Sequence, residues 1–186
     1  RFHLLDGRQY RDLQACRPEG KASTGTVDPA ECPALQDPAR SFLGWDQERW
    51  LARQLQGDAR ERVDATRWST VVQTTLFSAR KHPNGRQSTD SWDGYPQARQ
   101  RLVRQIAESQ PRNSVLLGGD IHQNYVCAIA AQADQAPDKA NPVIASEFCG
   151  TSISSHSGTT QARVDAIVAH NPQVVFARCE ERGYSL

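Results

Sequence analysis

Short apolar runs and amphipathic stretches alternate along this chain, and their periods predict its elements. Residues 2–6 (FHLLD) are a compact apolar run ending on an acid, the pattern of a buried strand. Residues 46–55 (DQERWLARQL) place Trp50, Leu51 and Leu55 on one helical face behind an acidic first turn. Residues 68–73 (WSTVVQ) are β-rich. A helix is predicted over 97–109, with Pro96 at its first position and Leu102, Val103 and Ile106 toward a core. Residues 114–119 (SVLLGG) form a buried strand that breaks straight into Asp120. Further strands are predicted at 125–130, 143–148 and 174–177, and a helix at 159–170 carrying Val164, Ile167 and Val168. The polar stretch 81–95 reads as a loop.

Strands alternating with helices predict an α/β layered fold, in which loops leaving the C-terminal ends of the strands build the site. The polar segments falling there are DGRQYRD, DSWDGYP, GDIHQN and EFCGTSISSH. At 186 residues the chain is about one domain long, and no repeat or linker divides it. No apolar run approaches the roughly 18 residues of a membrane span, and no signal-peptide core is present.

Charge excludes one class of partner. With 22 basic and 21 acidic residues, and the two signs balanced within each half, there is no basic field for nucleic acid or membrane. Of five cysteines none forms a CxxC pair, which disfavours a zinc ribbon or a dithiol redox site. Cys16 and Cys32 share one long polar loop. They are either a bridge that staples it or two reduced thiols, depending on the compartment.

GDIHQN carries the strongest local chemistry. At an i, i+2 spacing in extended backbone, Asp120 and His122 turn to one face, offering one metal an oxygen and an imidazole. The plainer reading is a capping Asp and a solvated His. Asp93 and Tyr95 flank a site only if DSWDGYP is more than a capped turn with Trp92 and Tyr95 as core anchors. Arg8 suits a phosphoryl oxyanion, or equally an ion pair that holds its loop. A serine hydrolase is disfavoured because EFCGTSISS lacks the G-x-S-x-G elbow. No P-loop, GxGxxG, HExxH or EF-hand sequence occurs.

In order from end to end, FHLLDGRQYRD, DPARSFLGWDQERWL, WSTVVQTTLF, DSWDGYPQARQRL, NSVLLGGDIHQNYV, ASEFCGTSISS and NPQVVFARCEERGY resemble the alkaline phosphatase D (PhoD-like) family. The resemblance implies a calcineurin-like metallophosphoesterase sandwich of two mixed β-sheets between helices. It also implies hydrolysis of phosphate mono- or diesters with Fe(III) and Ca(II), and export to the periplasm or beyond, which favours the Cys16–Cys32 bridge. It assigns His122 to the iron shell, Asp120 to the calcium shell, Asp93 to the calcium side and Gln73 to an amide ligand position. Arg8, with Tyr95 nearby, is implied to contact substrate.

The early Asp or Cys, the GD-x-x-Y segment and the Asn-type ligand of that superfamily are not in these 186 residues. Met is also absent and the chain opens on Arg1. The whole of 1–186 is therefore expected to be the C-terminal part of a PhoD-like catalytic domain. An incomplete metal site and no activity alone are expected, with one sheet face left open. The alternative is a truncated, non-catalytic binding or structural module of the same fold.

Overall fold

A computed structural model describes residues 1–21, 23, 25–60, 66–132 and 135–184. In chain order the elements are β1 (Phe2–Leu4), β2 (Thr26–Val27), α1 (Trp45–Arg60), β3 (Ser69–Val72), β4 (Gln87–Ser88), α2 (Pro96–Ser109), β5 (Ser114–Gly118), β6 (Asn124–Ala130), β7 (Val143–Cys149), α3 (Gln161–Val168) and β8 (Val174–Arg178). Short 3₁₀ turns lie at Pro29–Glu31, Pro33–Gln36 and Trp92–Gly94. The main sheet has six strands in the order β1-β3-β5-β7-β6-β8, and β2 and β4 form a separate two-stranded pair. Strands β1, β3, β5 and β7 are parallel, whereas β6 runs against both β7 and β8. This is the mixed α/β class that the alternating pattern predicts. Among the described residues no helix is long and apolar enough to cross a membrane.

The sheet has two unlike faces. Across one row of paired residues, His3, Val71, Leu116, Glu147, Cys127 and Val174 point to the helices, and all are buried. Leu51 and Leu55 of α1, Leu102 and Ile106 of α2 and Val164 of α3 join this core. The neighbouring row is Leu4, Val72, Leu117, Phe148, Val126 and Phe176, on the opposite face because side chains alternate along a strand. There Leu4 is 72% exposed, Phe148 42% and Phe176 49%.

Two expectations change accordingly. FHLLD is only half a buried strand, since His3 and Leu5 are covered and Phe2 and Leu4 are not. On α1 the buried stripe runs through Glu48, Leu51, Leu55 and Asp58. Trp50 sits on its flank, edge-on to His3.

The long loop after β1 is fastened by a Cys16–Cys32 disulfide with Cα atoms 5.9 Å apart. Around it Ala15, Val27, Cys32 and Leu35 form a small core of their own. The polar tracts 26–27 and 87–88 pair as β2 and β4, strands too short to register as periodicity.

Candidate active site

Four parallel strands deliver their following loops to one edge of the sheet, and those loops carry most of the candidate residues. β5 ends in Gly118 and Gly119. A Cβ on Gly118 would overlap the Thr75 carbonyl, so only glycine lets β5 lie this close to the loop after β3. The chain then turns. Asp120 (φ 67°) and His122 (φ 55°) both adopt the left-handed region, and Ile121 N–H bonds Gly119 O at 2.8 Å. The extended-strand argument for their common orientation therefore does not apply, because the strand has ended. Left-handed backbone costs a non-glycine residue roughly 1–2 kcal/mol, and two such residues in one tripeptide mark a geometry that the surroundings enforce.

The Asp120 carboxylate is half exposed and accepts from Arg8 Nη2 at 2.5 Å. His122 lies with Nδ1 3.3 Å from the His156 carbonyl, in the loop after β7. A proton on Nδ1 donated to that carbonyl leaves the Nε2 lone pair for a ligand. Asn124 ties the same loop inward, its Oδ1 accepting from Thr151 N–H at 3.1 Å.

Arg8 is the best-braced cation here. The Asp6 carboxylate accepts from the N–H groups of Arg8 and Gln9, which holds its pKa below the usual carboxylate range. Gln47 of α1 closes the turn by bonding Asp6 N–H and Asp6 O. On the side chain, Nη1 donates to Asp90 at 2.9 Å while Nη2 reaches Asp120. Asp90 also accepts from Arg11 Nη2 and Gln14 Nε2. Partial burial pushes the Asp90 pKa up, but the bonds from Arg11 and Arg8 and their charges leave it lowered. Asp90 thus orients Arg8 toward Asp120, a role that sequence reasoning missed. Its only trace there was an acid in a Ser/Asp loop.

The other candidates are placed differently. Gln73 is buried beside Gly118, with Oε1 accepting from Thr75 N–H at 3.1 Å and Trp92 Nε1–H at 3.0 Å. Its Nε2 donates to Thr75 O. Asp93 is buried and paired with Arg99 at 2.6 Å, and also accepts from Arg80 N–H. Tyr95 is buried against Phe42, with its hydroxyl donating to Asp12 O. The structure therefore gathers Arg8, Asp120 and His122 at one edge. Asp93 and Tyr95 are engaged in the core around α2.

Glu147 is a second residue that the pattern concealed. It is fully buried in the helix-facing row and accepts from the N–H groups of Phe77 (2.6 Å) and Ser78 (2.8 Å). Burial raises its pKa to about 7, with those two bonds opposing. The carboxyl thereby clamps the loop after β3 against the sheet.

Among the described residues no group of three or more His, Cys, Asp or Glu converges. The oxygen of Asp120 and the imidazole of His122 fit two positions of a metal shell, and other ligands would have to complete it. Together these form a mixed α/β sheet, parallel but for β6, with an Asp–x–His turn leaving the central strand β5 and facing a braced arginine. The PhoD-like phosphatase family model matches residues 1–186, and the chain belongs to that family. It is 31% identical over 188 residues to alkaline phosphatase D of Bacillus subtilis (strain 168), covering 98% of this chain and 29% of that protein. A solved structure described as the structure of PhoD superposes with a TM-score of 0.79 at 30% identity, covering 98% of this chain and 33% of that one. The chain thus spans about a third of the length of the proteins it matches.

Proposed function

We propose that this chain supplies the C-terminal share of a metal-dependent phosphoric ester hydrolase site of the alkaline phosphatase D type. The observation that carries the reading is the meeting of Arg8 with Asp120 beside the strained His122 turn, three side chains from two strand-end loops. His122 through Nε2 and Asp120 through its carboxylate would hold cations of the Fe(III) and Ca(II) classes. Such ions lower the pKa of a bound water and neutralise phosphoryl charge. Arg8, braced by Asp90, presents its guanidinium fork to a phosphoryl oxygen and fixes the ester's orientation. Gln73 and Asp93 act behind the site, by holding Trp92 and Arg99 in place. The substrate class is a phosphate mono- or diester.

The open sheet row of Leu4, Phe148 and Phe176 supports the rest of the reading. A face this apolar is what the remaining two thirds of such a catalytic domain would cover. The Cys16–Cys32 bridge supports function in an oxidising compartment, the periplasm or outside the cell. In a chimaera carrying this chain in place of the matching third of the Bacillus subtilis enzyme, hydrolysis of an aryl phosphate is expected. The 186 residues alone should give none. A chimaera that melts cooperatively yet shows no hydrolysis would leave the non-catalytic module as the better account.

A further inference from the structure

A cavity of about 560 Å³ opens between the segment 79–87 and the start of α2, and none of Arg8, Asp120 and His122 lines it. That volume is in the range of small-molecule sites. Its wall carries Arg80, Lys81, Arg86 and Arg99 against a single acid, Asp93, which Arg99 already neutralises at 2.6 Å. His82 adds a buried Nε2 with no hydrogen-bond partner among the described residues. Pro96 and Gln97 bring the positive end of the α2 dipole to the same wall, at a terminus whose Tyr95 side chain makes no cap bond.

From this convergence we infer a second, non-catalytic site that binds a multiply charged phosphoryl anion, a phosphomonoester or a polyphosphate. With Arg99 set against Asp93, the wall still carries Arg80, Lys81 and Arg86, more positive charge than a singly charged carboxylate or diester would balance, and desolvating walls strengthen each pairing. Arg86 is pre-set for the role. Its Nε and Nη2 are fixed on Thr26, and its Nη1 has no partner among the described residues. Lys81 is held at its backbone, whose N–H and carbonyl bond the Asn171 side chain. Burial and the Arg80 charge lower the pKa of His82, and its buried Nε2 is left open to a bound group. Binding here requires nothing of the proposed catalytic site.

Calorimetric titration of the 186-residue chain with inorganic pyrophosphate at low ionic strength tests the inference. One saturable site is expected. His82→Gln, Arg86→Gln and Lys81→Gln should each weaken it about tenfold or more, as loss of a charge-assisted bond does. Lys81→Gln retains the Asn171 backbone bonds, so it reads the site even if Arg86→Gln loosens the Thr26 contact. Arg178→Gln, whose side chain pairs with Glu180 and Glu181 in exposed positions outside this wall, should leave binding within twofold. Arg8→Gln should do the same. No binding by the folded chain, equal weakening by Arg178→Gln, or loss of binding only in Arg8→Gln would each overturn the second site.

Discussion

Replacing Glu147 by Gln separates a buried charge from everything else that titrates in this fold. The carboxyl lies in the helix-facing row between Leu116 and Cys127, out of contact with solvent. Burial is the main cause of its raised pKa, about 7 against an ordinary 4.5, with the Phe77 and Ser78 N–H groups pulling the other way. Between those two values the folded chain holds a proton that the unfolded chain releases, so stability falls as pH rises through that window. The gap between 4.5 and about 7 corresponds to about 3 kcal/mol, fully present below pH 4.5 and lost above pH 7. An amide at this position cannot titrate, and every other group is shared by the two proteins. Urea unfolding at pH 4.5, 6 and 8 should therefore show the wild type losing about 3 kcal/mol relative to Glu147→Gln across the series. Parallel pH curves for the two proteins would refute the buried, raised carboxyl.

How much of this was legible beforehand depended on whether a feature was periodic. Leu102, Val103 and Ile106 repeat at helical spacing and are all buried on α2. The SVLLGG run breaking into Asp120 also shows itself, because apolar strand and glycine are adjacent. Glu147 does not, since an acid at one alternate position of a strand looks the same whether it faces water or a core. The Arg8–Asp120 contact spans 112 residues and the pairing of β2 with β4 joins two-residue tracts, so neither leaves a local signal. The pairing of Asp93 with Arg99 leaves no local signal either. In space a buried carboxylate takes the nearest cation, and Arg99 lies one helical turn inside α2. The exposure of Phe2 and Leu4 belongs to the same class, because an apolar run does not say which of its faces is covered.

Three further outcomes follow from the geometry. Removing one member of a fully buried ion pair strands the other, so Arg99→Ala should cost about 3–5 kcal/mol in chemical denaturation. Arg178→Ala, at an exposed pair, should leave the urea midpoint close to that of the wild type. Reducing Cys16–Cys32 releases a loop with a sequence separation of 16 and should lower stability by roughly 3 kcal/mol, read as a shift of the urea midpoint with and without reductant. In the active chimaera, Asp90→Ala should raise KM for an aryl phosphate about tenfold with a smaller change in kcat, because it frees Arg8 without touching Asp120 or His122. An effect confined to kcat would count against a positioning role.

The central claim is that Asp120 and His122 are metal donors of a phosphoric ester hydrolase. Asp120→Asn in the same chimaera should act mainly on calcium dependence, since it removes a charge but keeps an oxygen. The most direct measurement is elemental analysis of purified His122→Ala chimaera, paired with its turnover of an aryl phosphate and its thermal melt. Iron content and turnover should fall together while the melt stays cooperative. Full iron content with unchanged turnover in a folded His122→Ala protein would contradict the assignment.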